Sequence, residues 1–164
     1  MIDATLRDAA RRVLDAARAR GLKLALAESC TGGLVAAALT EIPGSSDVVD
    51  RGFVTYSNAA KEAMLGVPPS VLETRGAVSQ QAAEAMALGA LERSGADLSA
   101  AITGVAGPGG GTAEKPVGLV HFAAARRNGR LLHRERRYGD LGRAEIRRRS
   151  VLEALAMLEE LAGI

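Results

Sequence analysis

The sequence is short of rings, thiols, imidazoles and lysines, and each shortage narrows what the chain can be. Aromatic residues fill 2% of its 164 positions, with two tyrosines, two phenylalanines and no tryptophan, while the hydrophobic share is 48%. The core must therefore be built from Ala, Val, Leu and Ile, and stacking of nucleic-acid bases on aromatic side chains is disfavoured. One cysteine, Cys30, cannot close an internal disulfide, and only His121 and His133 are there to join it around a metal. No metal site and no cofactor are expected. No apolar run approaches the roughly 20 residues a membrane span needs, and residues 1–20 are charged and helix-patterned rather than shaped like a signal peptide. The reading is a cytoplasmic protein that does not engage a membrane.

Lysine is the most informative shortage. Three lysines, Lys23, Lys61 and Lys115, stand against eighteen arginines, so arginine is the default cation of this chain. A lysine can lose its proton when desolvated and then act as a base, whereas a guanidinium stays charged. Lys61, on the first turns of a short expected helix, is accordingly a candidate general base. The alternative is a lysine lying along the helix surface with its ammonium in water.

What is present fits one compact domain over 1–164, long enough to bury about two-thirds of the surface its unfolded chain exposes. Apolar residues at helical spacing predict a helix over 4–20, closed by Gly21. A buried strand over 22–27, a turn, and a helix over 32–40 ended by Pro43-Gly44 follow. Residues 48–57 read as strand, 58–65 as helix, 68–76 as a short helical turn, and 79–93 as a helix with Ser79 as N-cap. The second half opens with a strand over 97–103 that runs into a glycine-rich loop at 104–111. A hairpin over 117–125 and 130–138, joined by Asn128-Gly129 in a primed turn, precedes a final helix over 144–161. Alternating strands and helices followed by a hairpin define an α/β protein, a three-layer α/β/α sandwich around a mixed, mostly parallel sheet.

Three constellations carry candidate chemistry. Ala27-Glu-Ser-Cys-Thr-Gly-Gly33 lies where a strand delivers the chain to a helix N-terminus, and the free amides of Thr31, Gly32 and Gly33 can hold an anion or an oxyanion. The alternative is that Ser29 or Thr31 caps that helix. Gly44-Ser-Ser-Asp47, Tyr56-Ser-Asn58 and Lys61 form the second, in which a loop serine reaches the lysine. Thr103-Gly-Val-Ala-Gly-Pro-Gly-Gly-Gly-Thr112 forms the third: amides of Gly104, Gly107, Gly109 and Gly110 can approach a phosphate, although the pattern is neither a P-loop nor a dinucleotide fingerprint. A plain surface loop is the alternative. The net charge of +2 and the arginines of 126–149 raise nucleic-acid binding, but Glu135, Asp140 and Glu145 interrupt them and a solvated face is favoured. Within that stretch Arg143 and Arg147 stand four apart on one helical face and can clamp an anion.

Taken in order, these motifs resemble the C-terminal domain of the CinA family, competence/damage-inducible proteins whose stand-alone members are nicotinamide-nucleotide amidohydrolases. The resemblance runs over nearly the whole chain. It implies hydrolysis of nicotinamide mononucleotide to nicotinate mononucleotide and ammonia by a serine and a lysine, with no metal. On the matching positions it makes Ser46 the nucleophile with Ser29 as second choice, Lys61 the base, Tyr56 a proton relay or positioning group, and Thr103 a pocket residue. The substrate phosphate is expected on the glycine loop and Arg147, because the stretch Gly139-Asp-Leu-Gly-Arg143 is longer than the family's Gly-Asp-Arg and favours Arg147 over Arg143 as the contact. The partner is thus a mononucleotide, with neither nucleic acid nor membrane, and a homo-oligomer, a dimer foremost, is favoured. The competing reading is a regulatory module that binds a mononucleotide without turning it over.

Overall fold

The computed structural model describes residues 2–163 as a five-stranded sheet between two helical layers. The chain runs α1 (Ala4–Ala19), β1 (Leu24–Glu28), α2 (Leu34–Thr40), a 3-10 turn (Ser45–Asp47), β2 (Val49–Val54), α3 (Asn58–Leu65), α4 (Pro69–Arg75), α5 (Gln80–Glu92), β3 (Leu98–Gly104), β4 (Leu119–Arg126), β5 (Leu131–Arg137) and α6 (Arg143–Ala162). The strand order is β2-β1-β3-β4-β5. β1 pairs parallel with both β2 and β3, and β4 runs antiparallel between β3 and β5. The mixed three-layer sandwich expected from the sequence is the fold observed.

Strand alternation divides the core into two unequal halves. Leu24, Leu26, Leu98, Ile102, Val120 and Phe122 point to one face, where α1, α2 and α6 cover them. Ala25, Ala27, Ala101, Ala123 and Ala125 point to the other, beneath α5 and the end of α3. Small side chains there bring the helices close to the sheet and to one another. At Gly89 on α5, an added Cβ would lie 2.0 Å from the Leu65 carbonyl oxygen at the end of α3, so only glycine fits that crossing.

Side-chain caps open α1 and α5, and the one at Ser79 falls where the sequence puts it. Asp3 accepts from the Leu6 amide at 2.9 Å, and Ser79 accepts from Ala82 at 3.1 Å. The β4–β5 turn differs from expectation. Gly129 has a positive φ of 96° but Asn128 does not, and the Gly129 amide bonds to Arg126. An ordinary turn followed by a left-handed glycine therefore replaces the primed turn, an arrangement that longer hairpin loops also use.

The winding of the chain sets where a ligand can sit. From the C-terminal end of β1 the chain leaves through α2 on one face toward β2, whereas from the same end of β3 it leaves toward β4. The two exits diverge and open a crevice between the strand ends, the usual ligand position in an α/β sheet.

Candidate active site

Ser29 stands at that crevice. It directly follows β1, its amide bonds to the Ile102 carbonyl of β3 at 3.0 Å, and its side chain is 8% exposed. Alternation along the strand sends Glu28 and Ser29 to opposite faces. Glu28 turns toward α2 and Ser29 toward α3.

From α3 comes Lys61, the largest fully buried side chain of the protein among the described residues, at 1% exposure. Ser57 caps the helix by accepting from Ala60 and so fixes the angle at which Lys61 enters. Its Nζ lies 2.9 Å from Ser29 Oγ, 2.7 Å from the Thr55 carbonyl and 3.3 Å from the Tyr56 carbonyl. Among the described residues no carboxylate is paired with it. Burial pushes the Lys61 pKa below the ordinary lysine value. A neutral amine satisfies this geometry fully: two N–H groups donate to the two carbonyls, and the lone pair meets the hydroxyl of Ser29. Beside Ser29, burial raises the Cys30 thiol to about 12, so the sulfur stays protonated and is no competing nucleophile.

The turn after Ser29 is held by charged groups on both sides. Glu28, 1% exposed, accepts from the amides of Val35 and Ala36 at 2.9 and 3.1 Å. It thereby supplies the cap that the N-cap residue, Gly33 at φ 101°, has no side chain to make. Neither Ser29 nor Thr31 caps α2, as the alternative reading of this motif would have it. Arg147 on α6 donates to the carbonyls of Cys30 and Thr31 at 3.1 and 3.0 Å.

A pocket of about 220 Å³ lies over the pair, walled by Ser29, Tyr56, Lys61, Ala77, Thr103 and Arg143 among others, with no carboxylate in its lining. Thr103 donates to the Ala77 carbonyl at 2.7 Å, which ties the end of β3 to the segment before α5. Gly104 permits the close approach of β4, since a Cβ would sit 2.7 Å from Val120. Arg143 spans the mouth, donating to the Gly107 carbonyl at 2.8 Å and to the Tyr56 hydroxyl at 3.0 Å.

The structure thus brings Ser29, Lys61, Tyr56, Thr103 and Gly104 to one place, with the backbone of Thr31, Gly32 and Gly33 alongside. It corrects two sequence expectations. Ser46 is exposed on the 3-10 turn before β2, and Val49 of β2 pairs with Leu24, the first residue of β1. Ser46 and Ser29 therefore lie at opposite ends of a five-residue strand, about 16 Å apart along its axis, and Ser46 cannot meet Lys61. The arginines exchange places as well: Arg143 reaches the pocket, whereas Arg147 faces carbonyls behind the serine turn. Gly109 and Gly110 are exposed beyond the pocket lining, and Gly107 offers its carbonyl to Arg143. Glu28 was missed altogether. Its signal was readable: a lone acid ending a buried strand, ahead of a helix whose N-cap is glycine.

A buried amine held against a serine, at the crevice of an α/β sheet, is a geometry in which a lysine can take a proton from a serine hydroxyl. Comparison with known proteins narrows the class: the model of the CinA C-terminal domain matches residues 6–162, and the chain belongs to that family. It is 57% identical over 117 residues to nicotinamide-nucleotide amidohydrolase PncC of Enterobacter agglomerans, covering 71% of each chain. A CinA-like protein of Synechococcus is 55% identical over 147 residues, which cover 89% of this chain and 35% of that protein. In that CinA-like relative and in those of Geotalea and Chlorobium, the chain spans about a third of the length or less. Among solved structures, the competence/damage inducible protein CihA of Agrobacterium tumefaciens superposes with a TM-score of 0.97 at 58% identity, over 98% of both chains. Among the described residues no helix is long and apolar enough to cross a membrane.

Proposed function

We propose that this protein hydrolyses the carboxamide of nicotinamide mononucleotide to nicotinate mononucleotide and ammonia, with Ser29 as nucleophile and Lys61 as general base. The observation that carries the proposal is the 2.9 Å contact between Lys61 Nζ and Ser29 Oγ inside a carboxylate-free pocket; the substrate follows from the likeness to the amidohydrolase of Enterobacter agglomerans. Neutral Lys61 takes the hydroxyl proton as Oγ bonds to the carboxamide carbon, and the carbonyl oxygen becomes an oxyanion. Collapse of that intermediate breaks the C–N bond while the Lys61 ammonium returns the proton to the departing nitrogen, which leaves as ammonia. Water then attacks the acyl ester, giving one proton to Lys61 that passes to Ser29 Oγ as the ester breaks. The pyridinium ring of the substrate is cationic and further disfavours an ammonium beside it, so binding assists the formation of the base.

A pocket of 220 Å³ suits the ring and its carboxamide, so the phosphate belongs at the mouth. There Arg143 keeps donors beyond the two it uses, and the amides of Ala106, Gly107, Gly109 and Gly110 have no acceptor among the described residues. The test is ammonia release from nicotinamide mononucleotide by the purified protein. Tight binding of the mononucleotide with no ammonia would favour the rival reading, a regulatory module, which draws on the domain's place within much longer CinA-like chains.

A further inference from the structure

Arg147 looks from sequence like half of a phosphate clamp with Arg143, but its surroundings give it other work. Its Nε and Nη2 donate to the carbonyls of Cys30 and Thr31. It lines the cleft beside Leu6 and Leu34 rather than the pocket of Ser29. Gly32, whose φ of 58° carries the turn past the guanidinium, would place a Cβ 3.6 Å from Nη2.

The carbonyl groups of Ser29, Cys30 and Thr31 are all engaged, the first by the Gly32 amide at 3.0 Å, the second by Arg147, and the third by Arg147 together with the Leu34 amide at 3.1 Å. Each peptide bond here is trans, so each amide N–H points opposite to the carbonyl of its own peptide unit. Fixing three carbonyls therefore fixes the N–H groups of Cys30, Thr31 and Gly32. The last is spent on Ser29, while the amides of Cys30 and Thr31 have no acceptor among the described residues. Two free donors next to the serine, held in orientation before any ligand arrives, are what a developing oxyanion requires.

We infer that Arg147 is a positioning residue: by holding the carbonyls of Cys30 and Thr31 from outside the pocket, it aims the Thr31 amide, beside that of Cys30, at the oxyanion of the acyl-transfer step. The inference rests on the serine–lysine reading above and assigns Arg147 no contact with substrate.

Kinetics of Arg147→Met and Arg147→Lys on nicotinamide mononucleotide test it, alongside the rate at which a fluorophosphonate phosphonylates Ser29, a reaction that draws on the same donors. In the Met variant kcat should fall roughly 10- to 100-fold with KM within about threefold, and phosphonylation should slow by a similar factor. The Lys variant, which can still donate to one carbonyl, should recover part of both. A rise in KM with kcat unchanged would return Arg147 to the phosphate site, and wild-type values in both assays would leave it without a role. Should the Met variant not fold, the same split read in the Lys variant decides. A wild-type protein that phosphonylates at Ser29 but releases no ammonia would overturn the amidase reading, while the labelling rates would still judge Arg147.

Discussion

Two serine turns border β1, one at each end, and they share a composition: glycine, serine and a neighbouring acid beside or within a short helical segment. The turn at Gly44–Asp47 is open to solvent, and its Ser46 is exposed. The turn at Ser29–Gly33 lies at the sheet's crevice under Lys61, with its carbonyls and its helix end taken up by Arg147 and Glu28. What separates them is burial and supply of partners, not residue type. A hydroxyl in water has no base to activate it, and a lysine in water has no reason to be neutral.

The sharpest way to break this comparison is to delete each hydroxyl. Ser29→Ala should lower kcat for ammonia release by about 10⁴-fold or more, whereas Ser46→Ala should stay within about twofold; the reverse pattern in a steady-state assay would return the nucleophile to the exposed turn. Next in size, Lys61→Met should cost about 10³-fold in kcat. Lys61→Arg should do no better, because a guanidinium cannot give up its proton. The same group sets a pH signature. The proposed mechanism needs neutral Lys61, and burial lowers its pKa from 10.5, so on that mechanism kcat/KM should rise with pH and level off below the ordinary lysine range. Between the lowered native value and 10.5 only the unfolded chain holds the proton, so unfolding free energy should increase with pH across that window. Denaturation at several pH values compares this slope in wild type with its absence in Lys61→Met.

Smaller again is the cap. Glu28→Ala leaves one buried and one half-buried amide without an acceptor and should lower stability by about 2 kcal/mol, readable as a drop in the denaturation midpoint. Asp47→Ala at the exposed turn should lose less than about 0.5 kcal/mol, which keeps the two ends of β1 distinct in stability as well as in activity.

The fold was legible because it rests on periodicity. The unbroken apolar run over 24–27 predicts a strand buried on both faces, and the helical spacing of Leu6, Val13, Leu14 and Ala17 predicts the covered face of α1, whatever the partners are. The site was legible in part, because it depends on which end of a strand a loop occupies. Lys61 stood out through the scarcity of its type. Ser46, which the resemblance pointed to, is nearer to it in sequence than Ser29, yet β2 carries the chain from one end of the sheet to the other between Ser46 and Lys61, so nearness along the chain is not nearness in the fold. Arg143 and Arg147 share a helical face, as the spacing required, but a separation of about 6 Å along the axis puts one at the pocket and the other behind the turn. Glu28 escaped because its partners, the amides of Val35 and Ala36, are backbone groups, and its one mark in the sequence is its place at the end of a buried strand.

The shortage of rings has a geometric reach beyond the core. A lysine side chain has a fixed length, and Leu65, one helical turn beyond Lys61, rests against the bare backbone of Gly89 on a bed of alanines. The thickness of that layer is a spacer that sets how far Nζ extends toward Ser29. Bulk added at Gly89 would lift the anchoring helix and open the serine–lysine gap without touching either residue. The active-site distance is in this sense written in the volumes of side chains that no substrate ever meets.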